Sequence, residues 1–177
     1  KGETKPRLSD ELIQYRDILH CDVGIEYLGL CTDTQRLAYI LKPDEDEVPT
    51  GLKKAFENCN KFQNIVSNNS IIGNTGNEVL LASLKDAKDR GMKSKLYTHP
   101  IGFHGHGAGP LIGLWDRQKE VPIRGEYPLY ENTCYALELN NATKVPEWNN
   151  QEVYIFLEET VVLTKEGFRY FDRQEDF

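Results

Sequence analysis

Three carboxylates stand in segments otherwise built from apolar, strand-forming residues, and this constrains the chain more than any other feature. Asp22 lies inside the apolar stretch 18–25. Glu138 interrupts Cys134-Tyr135-Ala136-Leu137-Glu138-Leu139, and Glu158 ends Tyr154-Ile155-Phe156-Leu157-Glu158. An ionised carboxylate taken out of water needs a partner, because an unpaired buried charge is costly. Either each acid ends a strand or faces solvent, or the acids are held together by something positive.

The segments around them define an order. Residues 17–41 hold two runs rich in Ile, Val, Leu and Tyr flanking Gly24 and Gly29, which predicts an antiparallel hairpin. Asp33 opens the returning strand. An apex at Tyr27-Leu28 would set Asp22 opposite Asp33. Those are poor turn residues, so a looser, bulged apex is expected, with the two carboxylates still facing each other. Two like charges this close need a cation, or one must take up a proton. Strand alternation puts His20 and Gly24 on the face of Asp22.

Residues 50–67 carry Leu52, Phe56, Cys59, Phe62 and Val66 at steps of three and four, the stripe of an amphipathic helix. A second helix begins at the capping box Thr75…Glu78, buries Leu80, Leu81, Leu84 and Ala87, and stops before Gly91. Strands are predicted over 133–139, 152–164 and 168–171, the last two joined by a turn at Lys165-Glu166-Gly167. A hairpin, two helices and several strands make an α+β fold.

At 177 residues the chain has the length of about one domain, at roughly 150 residues each. We divide it into a tail or linker over 1–16 and a catalytic-type domain over 17–177. A net charge of −7 argues against a nucleic-acid partner. No apolar run is long enough for a membrane span. The sequence opens on Lys1 without a signal peptide, which suggests a start inside a longer gene product. Its compartment is therefore unknown. Four cysteines without a C-x-x-C pair are expected to be small buried hydrophobes, and free thiols favour the cytoplasm, with secretion left open.

The segment 97–110, Tyr97-Thr98-His99-Pro100-Ile101-Gly102-Phe103-His104-Gly105-His106-Gly107-Ala108-Gly109-Pro110, supplies three of the four histidines. Its glycines let backbone approach a metal or ligand closely. His104 and His106, at H-x-H spacing in a glycine-rich strand, are candidate imidazole ligands.

Five places in this order resemble the pita-bread metallopeptidases, the family of methionine aminopeptidases, prolidases and aminopeptidase P. Asp22-Val23-Gly24 is followed by Thr32-Asp33-Thr34-Gln35-Arg36, at the family's spacing for D-x-G and S/T-D-x-T-R. Gly105-His106-Gly107-Ala108-Gly109 matches G-H-G-x-G. Ala136-Leu137-Glu138-Leu139-Asn140 and Leu157-Glu158-Glu159 match the two glutamate motifs. The whole pattern looks closest to Xaa-Pro aminopeptidases or dipeptidases.

The resemblance implies two divalent ions, manganese, cobalt or zinc. Asp22 would bind one, Asp33 and Glu158 would bridge both, and His106 and Glu138 would complete the other shell, with His104 the second choice for the histidine. A bridging hydroxide would attack the peptide carbonyl before proline, and Glu138 would carry the proton to the leaving amine. Tyr97 and Trp115 would wall a proline pocket. A histidine often found seven residues after the metal histidine is Gly113 here, so His99 or His104 is expected to take over substrate binding or proton transfer. The family's arginine two residues before the second glutamate is Phe156. Only about twenty residues precede Asp22, so the N-terminal part of the domain is expected to be absent, and the fragment to expose apolar surface, form a homodimer or be inactive alone. The partner is a peptide substrate. The competing readings are a metal-free peptide-binding module of the same fold, a methionine aminopeptidase-like enzyme and a creatinase-like amidinohydrolase.

Overall fold

A computed structural model describes residues 12–177. The tail expected over 1–16 falls mostly on residues 1–11, outside the described residues. Arg16, at its end, donates its backbone N–H to Ile40 O at 2.7 Å, which ties it to the first hairpin.

That hairpin pairs β1 (Ile18–Val23) with β4 (Thr34–Tyr39), and β2 (Glu26–Tyr27) with β3 (Leu30–Cys31) extends it. Its apex differs from expectation. Leu28 and Gly29 both have positive φ, 52° and 78°, the requirement of a tight I′ turn. The apex therefore sits one residue later than Tyr27-Leu28, and the register moves with it. Asp22 pairs with Gln35, not Asp33.

The helices follow the predicted pattern with one correction. α1 (Thr50–Asn69) buries Leu52, Phe56, Cys59, Phe62 and Val66, its whole expected stripe. α2 (Gly76–Asp89) starts at the complete Thr75/Glu78 capping box and buries Val79, Leu80, Ser83 and Ala87. Leu81 is turned outward and 45% exposed, because it lies about a quarter-turn off the axis through Leu80, Leu84 and Ala87.

Two long strands form the spine. β6 (Cys134–Val145) and β7 (Gln151–Thr164) pair along twelve residues, far beyond the limits 133–139 on the first. β5 (Lys93–Pro100) adds to β6, β4 adds to β7 with β1 outside it, and β8 (Gly167–Tyr170) also pairs with β7. β5 was not foreseen as a strand. It also ends at Pro100, so His104 and His106 lie on an irregular loop, not on a strand.

Alternation splits this sheet into two faces. Leu137, Leu139, Ile155 and Leu157 join α1 and α2 in one core. The intervening residues, among them Glu138 and Glu158, point away from the helices. Of the four cysteines, only Cys59 is fully buried as expected; Cys21 is exposed and Cys31 and Cys134 are half-buried, all four as free thiols. Among the described residues no helix is long and apolar enough to cross a membrane.

Candidate metal centre

Strand register places five residues in one row across the helix-free face. Asp22 on β1 pairs with Gln35 on β4, Gln35 with Glu158 on β7, Glu158 with Glu138 on β6, and Glu138 with Tyr97 on β5. Paired residues in a sheet share a face. The acids scattered through the sequence thus become neighbours by hydrogen-bonded register alone.

The next row supplies Asp33 and His99. The Asp33 backbone N–H reaches Thr160 Oγ1 at 3.4 Å, and the Thr160 hydroxyl donates back to Asp33 O at 3.1 Å. His99 pairs with Ala136 on β6, two residues before Glu138. Three groups of ligand atoms each lie within 4.8 Å of one another: Asp22, Asp33 and Glu158; His99, Glu138 and Glu158; Asp33, His99 and His106.

Of the three histidines, His99 is the one built into the sheet. It is 1% exposed, and its Nε2 is buried without a hydrogen-bond partner. That atom lies 3.8 Å from Asp33 Oδ2 and 3.9 Å from Glu158 Oε1, too far for hydrogen bonds. Nδ1 faces Pro100 O at 3.3 Å, which favours the tautomer whose Nε2 carries a lone pair. Burial, with the nearby positive charge of His106 and Arg124, pushes the imidazole down to about 4, so it is neutral at ordinary pH.

His106 is exposed and stacks on His99 with ring centroids 4.1 Å apart and planes at 15°. His104 is exposed, packs edge-on against Phe103 and enters none of the three groups.

The carboxylates resist ionisation together. Burial, then the charges of Glu138, Asp33 and Asp22, push Glu158 up to about 9. Burial pushes Glu138 up to about 7, against hydrogen bonds from Gln35 and Trp115. Asp33 is raised by burial and by Asp22. Such a cluster stays protonated or takes up a cation. Carboxylate oxygens with one neutral imidazole suit manganese, cobalt or zinc. The spans from the orphaned His99 Nε2 to two carboxylate oxygens suit an ion with ligand bonds of ~2 Å on either side. The residues present therefore fit a divalent metal.

Aromatic rings border the cluster. Tyr97 lies 5.2 Å from His99 and 6.1 Å from Trp115, Trp115 lies 5.8 Å from Phe156, and Phe156 stacks on His20. Arg124 donates to Gly107 O at 3.1 Å, and its charge reaches Tyr97 and His99. A cavity of about 600 Å³ lies elsewhere, beside the start of α2, and none of these side chains lines it.

Gln35 escaped sequence reading. A neutral amide carries no charge signal, although it stands two residues after Asp33 and shares its strand face. His20 lies on the face of Asp22, as strand alternation predicts, and Phe156 lies two residues before Glu158; the sequence reading gave neither a role at the site.

The family model described as Metallopeptidase family M24 matches residues 3–165. Among solved structures, the chain is similar to an X-Pro aminopeptidase from Thermotoga maritima, at 22% identity and a TM-score of 0.65, over 92% of this chain and 41% of that one. It is similar to a methionine aminopeptidase from Rickettsia prowazekii, at 19% identity and 0.66, over 92% and 67%. It is also similar to the N-terminal domain of FACT complex subunit SPT16 from Cicer arietinum, at 20% identity and 0.59, over 95% and 39%. No curated protein matches the sequence.

Proposed function

The chain belongs to metallopeptidase family M24 and has its pita-bread fold, and from that membership and the chemistry of the acidic face we propose a metal-dependent exopeptidase that cuts the bond before proline. The observation that carries the reading is the grouping of Asp33, Glu138 and Glu158 around His99, whose Nε2 is orphaned, with Asp22 grouped beside Asp33 and Glu158. Two divalent ions would be held there, one by Asp22, with Asp33 and Glu158 shared between them.

We assign the imidazole ligand to His99 in place of His106. His99 is buried, neutral and fixed in the sheet, as a ligand must be. His106 then stands seven residues after it, the position that falls on Gly113 when His106 is taken as the ligand. His106, exposed and stacked on His99, is free to contact a substrate carbonyl or carry a proton.

Bound ions supply Lewis acidity, for activating water and for countering charge that develops on the peptide carbonyl. The chain's residues do the rest. Glu138, whose carboxyl is pushed up to about 7, is poised both to take a proton from water and to give it to the leaving amine. Tyr97, Trp115 and Phe156 offer flat walls to a proline ring. The Arg124 guanidinium would take a peptide's free carboxylate, which favours short peptides and a dipeptidase over a methionine aminopeptidase.

The chain spans 41% of the length of the X-Pro aminopeptidase, so hydrolysis is tested on the protein as its gene encodes it. Xaa-Pro dipeptides should be cleaved and methionyl peptides without proline left intact; the reverse pattern overturns the proline assignment. Protein purified without chelator should carry about two equivalents of Mn, Co or Zn, lost in Asp33→Ala. Absence of metal at any added concentration would leave a peptide-binding module of the same fold.

A further inference from the structure

The Glu138 carboxylate is gripped from one side. Its Oε1 accepts a hydrogen bond from Gln35 Nε2 at 2.9 Å and another from the Trp115 indole at 3.1 Å. A carboxylate oxygen has two lone pairs in its plane, so these two donors fill it. Only Oε2 remains for a cation or a proton.

Gln35 is itself held. Its Oε1 lies 2.9 Å from His20 Nε2, and its Nε2 also points at Asp22 Oδ2 at 3.4 Å. The chemistry fixes which end of the amide is which. Turning it over would aim a carbonyl oxygen at two carboxylates and the amino group at the imidazole. With the oxygen toward His20, the ring must donate from Nε2, and both amide hydrogens face acids. Gln35 is 2% exposed, so water does not replace these bonds cheaply. It is also the neutral residue set among the acids of the row, lying between Asp22 on β1 and Glu158 on β7.

We infer that Gln35, oriented by His20, is a positioning residue that fixes the Glu138 carboxylate so that Oε2 alone faces the metal cluster, while separating Glu138 from Asp22 by a donor that satisfies both. The inference rests on the proposed metal-dependent reading and adds two residues to it, neither of them a ligand. The His20 ring hydrogen-bonds to Gln35 and otherwise stacks on Phe156, so its hydrogen bond acts on the site through Gln35. Trp115 shares the grip on Oε1, so loss of Gln35 leaves one donor in place and Glu138 free to rotate about the other.

The test is cobalt binding, followed by calorimetry and by the visible absorption of the bound ion. Gln35→Met keeps the side chain's length and removes both donors and the acceptor. It should weaken cobalt affinity about 10–100-fold, the usual loss when a ligand's supporting hydrogen bond is removed, and change the cobalt absorption band as Glu138 alters its mode of binding. His20→Ala, at an exposed position, should weaken affinity by a smaller factor. The double variant should be no weaker than Gln35→Met, because the His20 hydrogen bond reaches the site only through Gln35. Wild-type affinity and an unchanged band in Gln35→Met overturn the role of Gln35 while leaving the metal reading intact. Additive losses in the double variant overturn the His20 relay. A wild-type protein that binds no cobalt overturns the metal reading and this inference with it. Should Gln35→Met fail to fold, His20→Ala still decides: wild-type affinity and spectrum there end the proposal.

Discussion

Glu158 and Glu138 make a sharp statement about pH. In the fold their carboxyls are pushed up to about 9 and about 7, chiefly by burial; in the unfolded chain they ionise near 4.5. Between those values the folded state binds more protons than the unfolded one, so stability falls as pH rises. Without metal, both groups contribute their full stability below about 4.5, and it is lost as pH climbs toward about 9. Melting in a chelating buffer should show the midpoint declining from pH 5 to pH 9. Glu158→Gln, which keeps the shape and removes the titration, should flatten the upper part of that decline. An unchanged slope would mean that Glu158 ionises normally. The same acids were legible in the sequence because a carboxylate in an apolar run is conspicuous. The imidazole was harder. Three histidines lie within eight residues, and burial, which the sequence does not display, is what favours His99 over the glycine-flanked His106 as the proposed ligand.

The elements that carry these residues are held by local chemistry that can be broken selectively. Gly113 has φ +78°, and a Cβ there would sit 2.2 Å from Leu96 O, on the strand that carries Tyr97 and His99. Gly73 has φ +92° with nothing within 4 Å. Gly73→Ala therefore meets backbone strain alone, of order 1 kcal/mol. Gly113→Ala meets the same strain and must also displace β5. Urea unfolding should rank Gly113→Ala as clearly the more damaging, and it alone should weaken metal binding. Equal losses would mean that β5 tolerates the shift. At the second helix, Thr75→Ala removes the hydroxyl's two bonds with Glu78, leaving the backbone one, and should cost about 1 kcal/mol. That capping box and the α1 stripe were readable because both follow from spacing along a single helix. β5 was hidden because its site face carries Tyr97 and His99 where an ordinary half-buried strand would show its polar residues, while Lys93 and Lys95 obscure the rest. The hairpin apex lies one residue, and the pairing two residues, beyond the expected place because Leu28, with a side chain ill suited to positive φ, supports the turn together with Gly29.

At the scale of the molecule, one sheet serves two purposes. Its helix face is a continuous apolar core, and its other face gathers acids whose ionised forms burial and mutual repulsion oppose. A divalent cation held there would offset that repulsion, so metal and pH should act on stability in opposite senses. At a hundred times its dissociation constant, an ion bound only by the folded state adds about 2.7 kcal/mol. For a chain of this size each kcal/mol moves the melting midpoint by roughly 2–4 °C. Manganese should therefore raise the midpoint by roughly 5–11 °C at pH 8. The rise should shrink toward pH 5, where protons occupy the Glu138 and Glu158 carboxyls that the ion needs. The metal-free curve falls with pH, and the gap between the two curves widens with it. Melting with and without manganese across that range checks both trends together. A manganese effect that is equal at pH 5 and pH 8 would place the ion on groups other than these buried carboxyls, and the acidic row would then be no metal centre.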